Sequence, residues 1–548
     1  MYHLRKIPKK YGRMFLSVIY RLLVEPFGVF KVYWGTPKDE PAGPPPAPST
    51  ISIDFKDVKG EISRLIYGSF LEVMGKCVYG GVWDEYNENV PLIHGGIRQD
   101  VLREVRDLNL AIIRWPGGAF ADTYHWKNGI GPPEQRKTRR NKFWHWMGPK
   151  IGPKYDNHFG SDEFMLFINE LGDVAPYINI NLGSGTLEEA VEWLEYMNGD
   201  ESTEYGALRA ENGHPEPYNV KYWGIGNEIY GPWEVGYSRP ETYAKNYLKF
   251  AEAMRAVDPT IKLIAVGADF EYSYWNRPVL EIAGEQIDYL SYHIYMPGMF
   301  LKSLSNSVRD FYNIIAGAFE IEKRIQWVEN SIEEVMGRKD KIPIALDEWN
   351  IWWNARQLYE GYYTLRDGLL AATIFEFFHL HSNTIKMALH SSLVNVLPAI
   401  VTSPTDAYHN PIYLAIQLFA THAEQFLVSS TVNCDTRHNS RYGKVSAIDL
   451  PYLGCSATTN EARDKLVIIG LNRHHTHDLP TKIALTHFKP NATAQAYELN
   501  GPSHSAYNFF DKKDEVKIEK KEFKSASTKF KYVFPAHSVT ALILSEKK

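Results

Sequence analysis

Cysteine is nearly missing from this chain: 548 residues carry three, Cys77, Cys434 and Cys455. Three scattered thiols exclude a disulfide framework and a thiolate metal site. Free, buried thiols are expected, with a Cys434–Cys455 pair as the alternative in an oxidising compartment. An excess of basic charge is also missing. A formal net charge of −5 leaves no field to hold a phosphate backbone, so nucleic acid is not an expected partner. Long apolar runs are absent too. The first 35 residues, MYHLRKIPKKYGRMFLSVIYRLLVEPFGVFKVYWG, are interrupted by Arg21, Glu25, Pro26 and Lys31, short of the roughly 18 uncharged residues a spanning helix needs. No small-residue cleavage site follows the apolar stretch between Arg13 and Arg21, which argues against a secretory leader. A cytoplasmic protein is therefore expected. No internal repeat or phosphate-binding glycine loop stands out, since RWPGG at 114–118 lacks the G-x-G-x-x-G spacing.

What the chain does have is an ordinary globular balance, 44% apolar and 23% charged residues, over a length that suits one large and one smaller domain. Aromatic residues reach 14%; they suit stacking on a ligand's apolar faces, although an aromatic core is the simpler explanation. Residues 1–37 form a basic, amphipathic extension, read as an extra helix packed on the body. A weak contact with a membrane or a subunit is the alternative. Residues 38–50, KDEPAGPPPAPST, form a proline-stiffened connector.

Across 61–400, short apolar runs alternate with segments of helical spacing. The candidate strands are ISRLIYGSFLEV, LAIIRWPGG, VAPYININ, VKYWGIGNE, IKLIAVGA, IDYLSYHIY, IPIALDEWN and TIKMALH. Eight strands alternating with helices predict an α/β fold, a (β/α)8 TIM barrel, with a doubly wound open sheet as the runner-up. The barrel is preferred because polar and aromatic residues gather at the strands' C-terminal ends, which a barrel brings to one mouth. Residues 401–548 read instead as short strands between turns, KVSAIDL, DKLVIIGLN, TKIALTHF, ATAQAYEL, KYVFP and SVTALILS, a C-terminal antiparallel β-sandwich, and 51–60 has the texture of a strand joining it.

Barrel closure places Glu228, at the end of the fourth strand, across one pocket from Glu348, at the end of the seventh. Two carboxylates facing a sugar-sized gap can cleave a glycosidic bond, one protonating the leaving oxygen and the other attacking the anomeric carbon. Glu228 is then expected to keep its proton, desolvated beside Trp223 and Trp233. Glu348 is expected to stay ionised, with Trp349, Asn350 and Tyr295 as candidate donors. The plainer reading makes each glutamate a structural ion-pair partner; both at the expected strand ends favour catalysis.

The segments YGSFLEVMGKCVYGG, RWPGGAFADTYHWKNGIGP, NHFGSDEFM, INLGSGTLEEAVEWLEYMN, KYWGIGNEIYGPW, LDEWNIWW and SLVNVLPAI, in this order, resemble family 51 of the glycoside hydrolases, the α-L-arabinofuranosidase family of clan A. The resemblance covers roughly residues 50 to 545. It implies a retaining hydrolase built as a (β/α)8 barrel plus a β-sandwich, without metal or other cofactor, acting on a carbohydrate substrate and assembling as a homo-oligomer. It further implies that Glu228 is the acid/base, Glu348 the nucleophile, and Asn227 a ligand of the sugar's 2-hydroxyl. Glu72 is a substrate-binding carboxylate by the same resemblance, His293 and Tyr295 position the nucleophile, and Trp352 walls the sugar pocket.

Three positions depart from the pattern: Ala119 for an asparagine, Ser392 for a glutamine, and Val73 for a histidine. Lost polar contacts discriminate steeply in a site built to read hydroxyls. Asp122 or His125 could restore polarity, or the sugar could differ. An exo-acting α-L-arabinofuranosidase is the expected activity, with an endo-β-1,4-glucanase or xyloside-active enzyme as the alternative, and a catalytically silent carbohydrate-binding protein as the alternative of another class. The histidines of NRHHTH at 472–477 are read as a solvated loop, RKTRR at 136–140 likewise, and His379 and His381 as packed side chains.

Overall fold

The computed structural model describes residues 43–296, 307–352, 358 and 363–547. The 1–37 extension, and with it any contact it makes, lies outside the described residues, as does the first part of the 38–50 connector. Eight parallel strands close into a barrel: β2 (Gly68–Phe70), β3 (Ile112–Trp115), β4 (Ala175–Ile180), β5 (Tyr222–Ile225), β6 (Lys262–Ala265), β7 (Tyr289–Met296), β8 (Ile344–Ile351) and β9 (Ile385–His390). Each falls on one of the eight runs read from sequence, β7 and β8 extending one residue past theirs, to Met296 and Ile351. The helices between them are α1 (Gln99–Leu108), α2 (Ser161–Leu171), α3 (Leu187–Asn198), α4 (Glu204–Glu211), α5 (Pro240–Val257), α6 (Asn276–Ala283), α7 (Val308–Met336), α8 (Leu365–Leu380) and α9 (Pro411–His422). Their starts follow local chemistry. Thr186 caps α3 by accepting from the Glu189 amide, and Thr364 and Asp367 satisfy each other's backbone donors in a capping box at the start of α8.

The barrel interior is layered. Phe70, Ile112, Tyr177, Ile264, Ala345, Met387 and Leu389 fill its lower part with apolar side chains. Above them lies Arg114, its guanidinium carbon 5.8 Å from the Phe70 ring centroid and 5.5 Å from that of Tyr177. This buried cation caps the apolar layer and forms the floor of what lies above.

The second unit is one nine-stranded sheet, ordered β15-β14-β17-β12-β11-β10-β1-β13-β16. Its strands are β1 (Ser49–Glu61), β10 (Phe426–Asn433), β11 (Leu453–Thr459), β12 (Lys465–Asn472), β13 (Leu479–Thr486), β14 (Ala494–Asn500), β15 (Lys517–Phe523), β16 (Lys529–Phe534) and β17 (Val539–Ser545). Neighbours run antiparallel except β1 and β13, which are parallel. The sheet rolls so that side chains from both ends, among them Leu466 and Leu542 with Ile483 and Phe534, share one core, as in a sandwich. The predicted strand KVSAIDL does not join it. Ile448–Pro451 pairs instead with Thr436–Asn439 in a separate two-stranded ladder.

Helix α8 is apolar around nearly its whole circumference because it lies between the two units, against α7 and α9 on one side and β11 and β12 on the other. Arg473 reaches from the turn after β12 to Glu376 of α8, and the ring of His379 bridges Tyr67 Oη and Ser456 Oγ, both at 2.7 Å. The NRHHTH turn is part of this seam. His474 and His475 are buried rather than solvated, His475 meeting Tyr312 Oη at 3.0 Å. Arg136 of RKTRR likewise turns inward to pair with Glu163 at 2.9 Å, while Arg139 and Arg140 are exposed. His381 is ion-paired with Glu329 at 2.8 Å. Cys77, Cys434 and Cys455 are all free thiols. Among the described residues no helix is long and apolar enough to cross a membrane.

Candidate active site

The strand ends converge on one mouth, and several bring polar groups to it. Near the end of β3 stands Arg114, whose Nη2 donates to Asn227 Oδ1 at 2.8 Å and whose Nη1 donates to Glu348 Oε1 at 3.2 Å. Beyond it, Gly117 and Gly118 let the loop pass close to two carboxylates. A Cβ at Gly117 (φ 132°) would lie 2.4 Å from Glu72 Cγ, and one at Gly118 would lie 2.4 Å from Glu348 Oε1. The chain leaves β5 through Gly226 (φ 86°) and Glu228 (φ 45°), a sharp turn in which a non-glycine residue holds a left-handed backbone at a cost of about 1 kcal/mol or more.

β8 supplies consecutive carboxylates, Asp347 and Glu348, that both face inward. Strict alternation would send one outward, but the pairing register shifts between Leu346 and Trp349 on the β9 side and opposite Ser291 and His293 on the β7 side. Asp347 accepts from Ser291 Oγ at 2.5 Å and Tyr177 Oη at 2.8 Å. Glu348 accepts from Tyr295 Oη at 2.7 Å. Of the other donors expected for Glu348, Trp349 points away, packed on Phe375 and Phe378 with its indole N–H unpaired, and Asn350 donates to the Leu397 carbonyl at 2.8 Å.

His293 stands among three carboxylates. Its Nδ1 is 3.0 Å from Glu228 Oε1 and 3.5 Å from Glu348 Oε2, and its Nε2 is 3.3 Å from Asp347 Oδ1. Burial disfavours its charge, but the charges of Glu348, Asp347 and Glu228 outweigh it and push the imidazole up to about 10. One oxygen of Glu228, one of Glu348 and one ring nitrogen of His293 all lie within 4.8 Å of one another. Such a trio has metal-ligand spacing, and here its members are ion-paired with one another. Glu85, Asp156 and His158 form a second such group, where His158 Nδ1 is paired with Glu85 at 2.8 Å.

The two carboxyl shifts run in directions opposite to those expected from sequence. Burial raises the Glu228 carboxyl, but donors from His293, from Trp233 Nε1 at 2.9 Å and from Tyr230 Oη at 3.3 Å outweigh it, so its pKa lies below the ordinary value. Trp233 is thus a donor and not a desolvating wall, and Trp223 is bound to the Val220 carbonyl and packed on Trp193, away from the carboxylate. Glu348 lies above its ordinary value because burial, aided by the charge of Glu228, exceeds what His293 and Arg114 return. Asp347, also buried, is held down to about 2 by Arg114 and His293.

All seven residues singled out from sequence surround this mouth. Glu72 accepts from the Phe120 amide at 2.8 Å and Trp144 Nε1 at 2.9 Å, and burial still pushes it up to about 7. Asn227 donates through Nδ2 to Glu234 Oε1 at 3.4 Å. Trp352 meets the Tyr295 ring edge to face at 5.5 Å. The departures are equally concrete. Ser392 Oγ is turned to the Val396 carbonyl at 2.5 Å, Val73 is buried, and Ala119 offers no polar group. Asp122 lies beneath the site, accepting from the Leu182 and Asn227 amides at 3.1 and 3.3 Å, and His125 pairs with Glu189 at 2.9 Å.

Sequence reasoning missed Arg114, Asp347 and Glu234. A lone arginine inside the apolar IIRWP run was the available signal for the first, and nothing in WEVG marked Glu234.

Comparison with known proteins is consistent along the chain. Residues 104–311 match the α-L-arabinofuranosidase 1 domain model, and residues 347–538 match the α-L-arabinofuranosidase C-terminal domain model. A probable α-L-arabinofuranosidase C of Aspergillus clavatus is 34% identical over 507 residues, covering 88% of this chain and 94% of that protein. An intracellular exo-α-L-arabinofuranosidase of Bacteroides ovatus is 32% identical, covering 90% of this chain and 95% of its own. The α-L-arabinofuranosidase of Thermotoga maritima, solved with arabinose, superposes with a TM-score of 0.82 at 35% identity, covering 91% of this chain and all of that one.

Proposed function

Because the chain belongs to family 51 of the glycoside hydrolases, the α-L-arabinofuranosidase family, we propose that it removes α-L-arabinofuranosyl groups from the non-reducing ends of poly- or oligosaccharides with retention of configuration, Glu348 being the nucleophile and Glu228 the acid/base. The spacing of the two carboxylates carries the reading. Oxygens within 4.8 Å of each other suit the roughly 5 to 5.5 Å separation of retaining pairs better than the roughly 6.5 to 9.5 Å of inverting ones.

In the first half-reaction a Glu348 oxygen bonds to the anomeric carbon as the bond to the leaving oxygen breaks, and a proton passes from Glu228 to that oxygen. The proton is at hand: His293 Nδ1 faces Glu228 Oε1 at 3.0 Å and can hand it over as the sugar enters. Arg114 and Tyr295 hold the two Glu348 oxygens for attack. In the glycosyl-enzyme Glu348 carries no charge, and an ionised Glu228, kept so by its three donors, takes a proton from water as that water displaces Glu348. Asn227, fixed by Arg114 and Glu234, is placed to bind the sugar's 2-hydroxyl.

Hydrolysis of an aryl α-L-arabinofuranoside by the wild type, lost by at least about 10³-fold in Glu348→Gln, tests the reading. The first-formed anomer, followed by NMR, must be the α form. Cleavage of a β-D-xyloside or β-cellobioside in its place would favour the alternative that Ala119 and the averted Ser392 keep open. Assembly as a homo-oligomer belongs to the same proposal, and light scattering on the purified protein reads it. So does a cytoplasmic location, read by cell fractionation.

A further inference from the structure

An unbroken run of aromatic rings leads from Glu228 to solvent. Tyr230 and Trp233 touch the carboxylate directly. Tyr272, on the loop after β6, packs on both, with ring centroids 4.7 Å from Tyr230 and 6.0 Å from Trp233. Its ring is only half-buried and packs on the two side chains that donate to Glu228, so it stands on the acid/base side of the mouth. Tyr274 follows, its centroid 6.4 Å from Tyr272. It is 52% exposed, yet its hydroxyl donates to the Tyr230 carbonyl at 3.4 Å. An ordinary surface tyrosine keeps its hydroxyl in water. Here the hydroxyl is tied to the acid/base loop and the ring is left open.

In the proposed reaction Glu228 meets the leaving oxygen, so groups lying beyond it, away from Glu348, meet the leaving group. The C–H faces of sugar rings pack on aromatic rings, which are rigid and lose little entropy on binding. We propose that Tyr272 and Tyr274 form a leaving-group subsite that binds the glycan chain from which the arabinosyl group departs. This inference rests on the function proposed above and names the other half of its substrate.

The test compares kcat/KM for methyl α-L-arabinofuranoside, whose leaving group has no ring, with values for an arabinofuranosyl-substituted xylotriose and for arabinotriose. Tyr274→Ala, at an exposed position, and Tyr272→Phe, which keeps the ring, are the variants. Tyr274→Ala is expected to lower kcat/KM about five- to tenfold on one or both oligosaccharides, mainly through KM, and to change the methyl glycoside by less than about twofold. The oligosaccharide that responds identifies a xylose or an arabinose chain as the occupant. Equal loss on all three substrates, or loss on none, overturns the proposal. If the wild type hydrolyses no arabinofuranoside, the proposed function fails separately. Calorimetry of Glu348→Gln with unsubstituted xylotriose and arabinotriose then decides the subsite: binding weakened by an added Tyr274→Ala sustains it, and absence of binding overturns it.

Discussion

At the scale of single residues, the site is governed by a shortage of positive charge. Glu72, Glu228, Asp347 and Glu348 share one guanidinium and one imidazolium, and His293 carries the larger part because it faces three of them. Replacing it predicts a direction. In His293→Asn the carboxyls of Glu228 and Glu348 lose a cation at 3.0 and 3.5 Å, so both pKa values rise. The acidic limb of the kcat/KM profile, set by ionisation of the nucleophile, is expected to move to higher pH, and activity at neutral pH to fall by at least about 10²-fold. A unchanged limb position with lower activity would mean that His293 only shapes the pocket. The two glutamates were legible in sequence because each sits beside a distinctive neighbour at a strand end, GNE and DEW. The charge balance was not. Arg114 acts across the barrel on partners 113 and 234 positions away and Asp347 on partners 56 and 170 positions away, and no local pattern reports such a pairing.

At the scale of elements, strand register and loop backbone decide which side chains reach the mouth. The eight barrel strands were legible because each is a short apolar run between turn signals. The register shifts in β8 were not, since LDEWN read as a strict alternation sends either Asp347 or Glu348 outward. In the sheet, β10, β11 and β15 went unread for a different reason. FLVSSTVN and LGCSATT are weakly apolar, and KIEKKEF carries charge along most of its length because β15 is an edge strand with most of its side chains in solvent. The loop after β3 constrains the nucleophile directly. Gly118→Ala would place a methyl group 2.4 Å from Glu348 Oε1, where van der Waals contact needs at least 3 Å. The nucleophile must swing or the loop must lift, and a shift of about 1 Å is enough to cost about 10²-fold. Such a fall in kcat, with a melting temperature within a few degrees of wild type, is the expected outcome; a full loss of folded protein would move the residue's importance from chemistry to structure.

At the scale of the whole molecule, the barrel and the sheet are joined through buried polar groups that were legible only as residue types. The NRHHTH histidines resemble a surface cluster in sequence because the surface that covers them comes from α7, more than a hundred residues earlier. The same seam makes stability depend on pH. Burial between Tyr67 and Ser456 holds His379 down to about 3, against about 6.5 in an unfolded chain. Its folded value is depressed, so its contribution is complete above pH 6.5 and is lost as pH falls toward 3. Each pH unit below 6.5 costs about 1.4 kcal/mol through this one ring. Total stability does not report it cleanly, because buried carboxyls with raised values, Glu72 and Glu234 among them, gain as pH falls. The difference between wild type and His379→Gln does. The variant loses two hydrogen bonds and is expected to be less stable at pH 7, but it has no proton to take up on unfolding. The gap in unfolding free energy should therefore close by about 2 kcal/mol between pH 7 and pH 5, measured by denaturant titration at each pH. A gap that stays constant would mean that the ring is already protonated where barrel and sheet meet, with Tyr67 and Ser456 both accepting from it.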